Sequence, residues 1–140
     1  MKAGRGVIWA VLALGVVGAG MGWIRLAPQD VARWHAVPQD ITPRDLTGGA
    51  VRAVAGDAAT FSRLDAVIRA TPRTRVLAGS VAEGMVTYVT RSAVFGFPDY
   101  TTVRLRGGQV QLYGRSRFGV SDLGVNAARL DGWLRALHAG

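Results

Sequence analysis

The hydrophobic pattern of the chain changes sharply after the first few turns of a predicted helix. Residues 7–24 contain no charged side chain and show no polar face. A helix of that length, at about 1.5 Å per residue, spans roughly 27 Å, close to the hydrocarbon thickness of a bilayer. We therefore predict an N-terminal membrane anchor over residues 1–24. The alternative is a cleaved signal peptide with small residues at 18–20, although such peptides usually have an apolar region of only about 7–15 residues.

The segment after the anchor lacks any sustained periodicity. Residues 25–49 contain prolines at positions 28, 38 and 43, and proline supplies no backbone N–H to a helix or sheet. This composition predicts an extended, proline-rich linker. Trp34 is unusual in a linker, and we expect it to dock on the domain and fix the segment there.

Residues 50–140 carry the pattern of one small α+β domain. Two segments place apolar residues at helical spacing, and five short segments are rich in β-branched and aromatic residues. The predicted order is β-α-β-β-β-β-α, a small antiparallel sheet of about five strands with two helices on one face. The predicted strands are residues 51–55, 75–78, 85–95, 100–106 and 109–118, and the predicted helices follow Asp57 and Ser121 or Asp122.

The pair Gly107-Gly108 fixes the register of one hairpin. A two-residue turn of this kind needs positive φ at both positions, which glycine adopts without steric cost. Pairing Arg106 with Gln109 gathers the apolar residues of both strands on one side, whereas a shifted register would scramble them. The other side then carries arginines with tyrosines between them. Its members are Tyr100, Arg104, Arg106, Tyr113, Arg115 and Arg117.

This arginine and tyrosine face favours the binding of an anion. Guanidinium groups bind carboxylate or phosphate through two hydrogen bonds and stack on aromatic rings. Removing Lys2 and Arg5 from the 17 basic residues leaves 15 arginines against 9 acidic residues, an excess that also favours anionic partners. Two alternatives stay open. The face is merely solvated, with arginine stems over the tyrosine rings, or Asp99 and Asp122 pair with its arginines.

A second group of polar residues supports a different class of function. Two carboxylates beside turns can do acid–base chemistry, so an enzyme site would use Asp99, Asp122 and Arg115. A serine nucleophile lacks a base, because neither His35 nor His138 lies near this group. The simpler interpretation is structural, with the two aspartates capping a helix and a turn. The whole group comprises Arg91, Ser92, Asp99, Ser116, Ser121, Asp122 and Asn126.

Composition removes several kinds of chemistry. The chain contains no cysteine, which excludes disulfides, thiolate zinc sites and cysteine nucleophiles. Its two histidines lie far apart in the sequence, and no nucleotide-binding glycine motif is present. We therefore expect neither a metal nor another cofactor.

Three stretches of the chain resemble a bacterial family, domain of unknown function 1499. They are residues 25–28 with 34–38 (RLAP and WHAVP), residues 90–100 (TRSAVFGFPDY) and residues 113–126 (YGRSRFGVSDLGVN). The last stretch is the most specific, since it resembles the family pattern Arg-Ser-x-Ser/Arg followed by Gly-x-Ser-Asp-x-Gly-x-Asn. Two features depart from that family: Ala127 stands where arginine is usual, and an Asn-Cys-Val-type opening is absent.

The resemblance, over about residues 25–137, implies a small envelope-associated bacterial domain without an assigned activity, cofactor or substrate. We expect a protein of the bacterial inner membrane with its domain on the periplasmic side, because a short tail before a retained first helix usually stays in the cytoplasm. The expected partners are the membrane and an anionic ligand, lipid headgroup or envelope protein. Nucleic acid is not expected despite the net charge of +8, since the anchor and the outward placement keep the domain away from it.

Overall fold

A long apolar helix precedes the domain in the computed structural model, which describes residues 2–140. Helix α1 runs over Lys2–Leu26. Its stretch Gly4–Leu26 is long and apolar enough to cross a membrane, and none of it is buried against the rest of the protein. Met1, the first residue of the predicted anchor, lies outside the described residues.

The core of the domain is a six-stranded antiparallel sheet. Its spatial order is β1-β2-β6-β5-β4-β3, so only the β2–β6 neighbours are not consecutive in the chain. Five strands match those predicted, and the short edge strand β1 was not expected. The strands are β1 (Arg44–Leu46), β2 (Gly49–Ala55), β3 (Thr74–Ser80), β4 (Met85–Arg91), β5 (Pro98–Arg106) and β6 (Gln109–Ser116).

The predicted register of the β5–β6 hairpin is confirmed. Arg106 pairs with Gln109, and Val103 pairs with Leu112. Both turn glycines have the positive φ that the turn requires, +60° at Gly107 and +71° at Gly108. The hairpin is therefore set by local turn chemistry together with the alternation of apolar side chains.

Two helices cover one face of the sheet, as the pattern predicted. Helix α3 spans Ala58–Arg69, and the Asp57 carboxylate caps it by accepting a hydrogen bond from the Thr60 N–H. Helix α4 spans Val125–Ala139. The buried core between helices and sheet contains Phe61, Leu64, Ile68, Val86, Tyr88, Val103, Leu112, Leu130, Trp133 and Leu137.

The opposite face of the sheet is covered by the segment that precedes the domain. Within it a single turn of helix, α2 (Val31–Trp34), follows the Asp30 cap. Trp34 is 6% exposed and forms a second small core with Val89 and Tyr100. We call residues 27–39 the connecting segment.

The strand bounds depart from prediction at one place that matters for the site. The β-rich segment 85–95 predicts one strand, but β4 ends at Arg91 and a turn follows. The turn is closed by hydrogen bonds from the Ser92 N–H to the Phe97 carbonyl and from the Gly96 N–H to the Ser92 carbonyl. Within this turn Gly96 adopts a φ of +71°, and Val94 and Phe95 lie outside the sheet with exposed side chains.

Replacing Trp133 tests the packing of α4. Its ring is 5% exposed, and its indole N–H donates to the Thr71 hydroxyl at 2.8 Å. We expect Trp133→Ala to lower the free energy of unfolding by about 3–5 kcal/mol, because it leaves a large cavity. Urea unfolding of the full chain in detergent, followed by circular dichroism, measures the change. Arg63→Ala on the exposed side of α3 is the control, and equal stability of the two variants would contradict this packing.

Candidate functional site

The connecting segment is held on the sheet by an aromatic stack. The rings of Trp34 and Tyr100 lie 4.1 Å apart between centroids with an angle of 11° between their planes. The Trp34 carbonyl accepts a hydrogen bond from the Thr102 hydroxyl at 3.0 Å. Next to it, the Nδ1 atom of His35 lies 2.9 Å from the hydroxyl oxygen of Thr87. The predicted docking of Trp34 on the domain is thus observed.

Arg115 is the central side chain beneath this segment. Its guanidinium donates to the Thr102 hydroxyl at 2.9 Å, to the carbonyl of Trp34 and to the carbonyl of Ala36 at 3.3 Å. It also lies 4.4 Å from the ring centroid of Tyr113. Burial lowers the pKa of this guanidinium to about 10. No carboxylate lies within ion-pair distance of Arg115 among the described residues. Backbone carbonyl dipoles and the faces of aromatic rings therefore stabilise its positive charge.

The predicted arginine and tyrosine face is therefore divided into a covered part and an open part. Tyr100 and Arg115 are buried, whereas Tyr113 and Arg117 are half-buried. Neither alternative considered for the face, full solvation or pairing with aspartates, describes the covered part. What covers it is backbone and Trp34 from a segment more than 60 residues away in sequence.

The open part is a cleft at the turn end of the β5–β6 hairpin. Arg104 is half-buried and Arg106 is exposed. Burial, and then the like charge of Arg106, lower the pKa of Arg104, whose Nε donates to the Gln111 side chain at 2.7 Å. The cleft has a volume of about 500 Å³ and is lined by Gln39, Arg104, Arg106, Gly107, Gln109 and Gln111. We call it the arginine cleft.

Several of the predicted motif residues meet in one network between β5, β6 and α4. The Ser116 hydroxyl donates to Asp99 at 2.7 Å, and Arg129 donates to the other oxygen of Asp99 at 3.0 Å. The Asn126 amide links the two sides, donating to the Ser116 hydroxyl at 3.1 Å and accepting from Arg129 at 2.9 Å. Each polar group in this network has a partner inside it, so it joins α4 to the sheet.

Asp122 extends the network to the start of α4. Its carboxylate accepts hydrogen bonds from the backbone N–H groups of Gly124 and Asn126, each at 3.0 Å, and from the Asn126 amide at 2.9 Å. Burial alone would raise the pKa of Asp122, but these hydrogen bonds prevail and lower it. The Ser121 hydroxyl accepts from the Leu123 N–H at 3.2 Å. Both residues bind N–H groups before or within the first turn of α4, although the N-cap position itself is Gly124 rather than Ser121 or Asp122.

The grouping of Asp99, Asp122 and Arg115 in one site is wrong. Successive residues of a strand point to opposite faces of the sheet. Ser116 of β6 therefore reaches Asp99 on the helix side, while Arg115 lies under the connecting segment. The partner of Asp99 is Arg129, which sequence reasoning missed. Its position three residues after Asn126 on a helix is the signal that could have identified it.

The remaining motif residues stabilise the turn after β4. Arg91 donates to the Gly96 carbonyl at 2.8 Å and to the Ile24 carbonyl of α1 at 3.3 Å. The Ser92 hydroxyl accepts from the Phe97 N–H at 3.0 Å. Burial comes first among the causes that lower the pKa of Arg91, and the nearby charges of Arg75, Arg117 and Arg25 lower it further.

A depression of about 350 Å³ lies beside the polar network. Its polar wall contains Asp99, Ser116 and Arg129, and its apolar wall contains Phe97 and Phe118. Asp99, Ser116 and Arg129 pair within the network, while Ser92 and Ser121, which also line the depression, accept from backbone N–H groups. Within residues 2–140, no group of three or more histidine, aspartate or glutamate side chains is placed to hold a metal ion.

These features define an α+β domain with one sheet face under two helices and the other under a docked segment that leads to an apolar helix. The chain belongs to the protein family of unknown function DUF1499, whose model matches residues 27–137. The match begins within the stretch that composition indicated to be a linker. No curated protein matches the chain.

Replacing Arg115 tests whether it holds the connecting segment. We expect Arg115→Met to lower the free energy of unfolding by about 1–3 kcal/mol. The carbonyl groups of Trp34 and Ala36 would lose the hydrogen bonds that Arg115 donates, while remaining close to apolar surface. Arg115→Lys should not restore the parent stability, since an ammonium cannot reproduce the planar fork of donors. Hydrogen exchange of residues 27–39 should rise in both variants. Arg106→Met is the control, and unchanged exchange in Arg115→Met would contradict the assignment.

Proposed function

We propose that this protein is a membrane-anchored binding module whose arginine cleft takes an anionic ligand. The proposal has two parts, an anchor and a binding surface. We place the anchor in the inner membrane of the bacterial envelope and the domain on its periplasmic side.

The proposal rests on the position of Arg104 and Arg106 in one cleft and on their lack of a carboxylate partner among the described residues. They stand two residues apart on the same face of β5 and line the same cleft. Within the described part of the chain neither lies within ion-pair distance of a carboxylate, unlike Arg44, Arg52, Arg69 and Arg129. Two adjacent guanidinium groups without a counter-charge favour the binding of an anion. A carboxylate or phosphate group suits them, because its oxygens can accept hydrogen bonds from both arginines.

The shape of the cleft supports a ligand in solution. The amides of Gln39, Gln109 and Gln111 surround the two arginines and supply further hydrogen-bond donors and acceptors. The cleft lies at the turn end of β5, while α1 approaches the other end, near Pro98. Along the strand these ends are roughly 26 Å apart, at about 3.3 Å per residue. The cleft therefore lies at the end of β5 opposite to the one that α1 approaches.

Binding is favoured over catalysis by the pairing of the polar network. An enzyme site at the motif residues would need at least one of Asp99, Ser116 or Asp122 free to act on a substrate. Each of the three is already engaged with another member of the network or with the backbone that it caps. This arrangement supports a structural role for the motif.

The cleft is tested by a change that keeps the fold. We expect Arg104→Gln with Arg106→Gln to weaken the binding of inorganic pyrophosphate at low salt, measured by calorimetry on the full chain in detergent. The parent should bind less tightly as salt rises, because the screening length falls from about 10 Å at 0.1 M to about 3 Å at 1 M. Stability should fall by no more than about 1.5 kcal/mol, because Arg106 is exposed and Arg104→Gln removes the hydrogen bond to Gln111.

A matched control separates the cleft from net charge. Arg63→Gln with Arg135→Gln removes two exposed arginines from the helix side and changes the total charge equally. It should bind pyrophosphate as the parent does. Equal binding by both double variants would rule out the cleft as the site.

The anchor is tested by the fate of α1 in cells. Because its apolar stretch outlasts that of a signal peptide, we expect the mature protein to begin at or near Met1 and to stay in the membrane fraction after alkaline extraction. N-terminal sequencing of the purified protein measures this. A soluble product that starts near Met21 would refute the anchor and leave the cleft as a separate question.

A further inference from the structure

Exposed apolar side chains gather at one end of the domain. Outside α1 and Val31, every exposed large apolar side chain of the described residues belongs to one of two loops or to the first residue of α4. Val120 and Leu123 are 92% and 91% exposed, and Val94 is 67% exposed. We call residues 92–97 and 117–124 the anchor-side loops.

The two loops are neighbours, and the end of α1 lies beside them. The rings of Phe97 and Phe118 are 6.3 Å apart between centroids. Arg25, near the end of α1, donates to the Val94 carbonyl at 2.9 Å, and Arg91 donates back to the Ile24 carbonyl. The loop 92–97 is thus fixed beside the end of α1, and the loop 117–124 adjoins it through the Phe97–Phe118 pair.

The same end of the domain carries uncompensated positive charge. Arg25, Arg75, Arg91 and Arg117 have no carboxylate within ion-pair distance among residues 2–140. They are close enough together that the other three charges contribute to lowering the pKa of Arg91, after burial. Arginines around exposed apolar side chains are the composition of surfaces that lie in the headgroup region of anionic bilayers.

The backbone conformation of Leu123 indicates that its exposed apolar side chain has a function. Its backbone has a φ of +52°, a left-handed conformation that disfavours branched and bulky residues and suits glycine, asparagine or aspartate. A loop that met only water would lose nothing by a small polar residue there. An exposed leucine side chain in that conformation is favourable where it contacts the hydrocarbon region of a bilayer.

We propose that the anchor-side loops dock on the bilayer that α1 crosses, with Val94, Phe95, Val120 and Leu123 at the level of the upper acyl chains and the surrounding arginines against anionic phosphate headgroups. This inference rests on the anchor of the proposed function and deepens it. The consequence is a fixed orientation of the domain. The anchor-side loops face the membrane and the arginine cleft points away from it.

The absence of cysteine from the chain makes this directly measurable. Single cysteines at Val120, at Leu123 and in the middle of α1 at Val16 can each carry an environment-sensitive fluorophore on the full chain. A cysteine at Ala82, exposed in the turn beside the arginine cleft, is the control. The protein is reconstituted into vesicles of phosphatidylcholine with phosphatidylglycerol, and quenching by nitroxide-labelled lipids is recorded.

We expect labels at Val120, Leu123 and Val16 to shift to the blue and to be quenched by the lipid nitroxides, and the label at Ala82 to behave as in water. A quenched Val16 label with Val120 and Leu123 labels as exposed as that at Ala82 would overturn the docking and leave the anchor intact. An unquenched Val16 label would overturn the anchor, and the docking with it. Quenching of all four labels would overturn the proposed orientation.

A separate experiment tests whether docking of the anchor-side loops depends on the charge of the lipid and of the arginines. Removing phosphatidylglycerol, or introducing Arg75→Gln with Arg117→Gln, should reduce quenching at Leu123 without changing it at Val16. Arg63→Gln with Arg135→Gln removes equal charge from the helix side and should leave the Leu123 signal as in the parent. Loop quenching that is insensitive to both lipid charge and the first pair of substitutions would overturn the assignment of anionic headgroups.

Discussion

The buried guanidinium of Arg115 is the interaction on which the arrangement of the protein depends. A cation removed from water must be compensated by groups that face it, and here the compensation comes from outside the sheet. The carbonyls of Trp34 and Ala36 and the ring of Tyr113 provide it. The arginine can stay buried only while the connecting segment stays docked, and the segment loses donors if the arginine leaves. Each stabilises the position of the other.

That coupling sets the geometry of everything at the N-terminal side. The sheet carries Val89 and Tyr100 on the face away from the helices, and both are fully buried under the segment. Because residues 27–39 follow α1 directly, their docking also determines where α1 ends relative to the loops. The contacts of Arg25 and Arg91 then fix that junction from the other side. A helix attached through a free linker would not be held in one position relative to the domain.

Sequence reasoning succeeded where the determinants are close together in the chain. The glycine pair at 107–108 and the alternation of β5 and β6 defined the hairpin register, and Asp57 defined the start of α3. The apolar stripes gave both helices for the same reason.

The misses come from contacts between residues distant in sequence. Arg115 contacts residues 34–36 from about 80 positions away in the sequence. Asp99 and Arg129 pair across a separation of 30 positions. Alternation does predict that Arg115 and Ser116 face opposite ways. It does not predict what covers the face away from the helices.

Charge is distributed over this domain in a way that the total of +8 conceals. Arg52 bridges Asp45 and Asp131, and Arg129 pairs with Asp99, so part of the positive charge is neutralised around β2 and α4. Apart from the buried Arg115, the arginines without carboxylates on or beside the segment-covered face gather at its two ends instead. One group surrounds the end of α1 and the other lines the arginine cleft.

The polar network holds the helix layer on the other face of the sheet. Asn126 and Asp122 fix α4 against the sheet at the anchor-side end, where Gly114 lets the helix approach, since a Cβ there would lie 3.1 Å from the Asn126 side-chain oxygen. The strands between hold the two cationic surfaces at opposite ends of the sheet, which is the separation that the proposed tethered receptor for an anion requires.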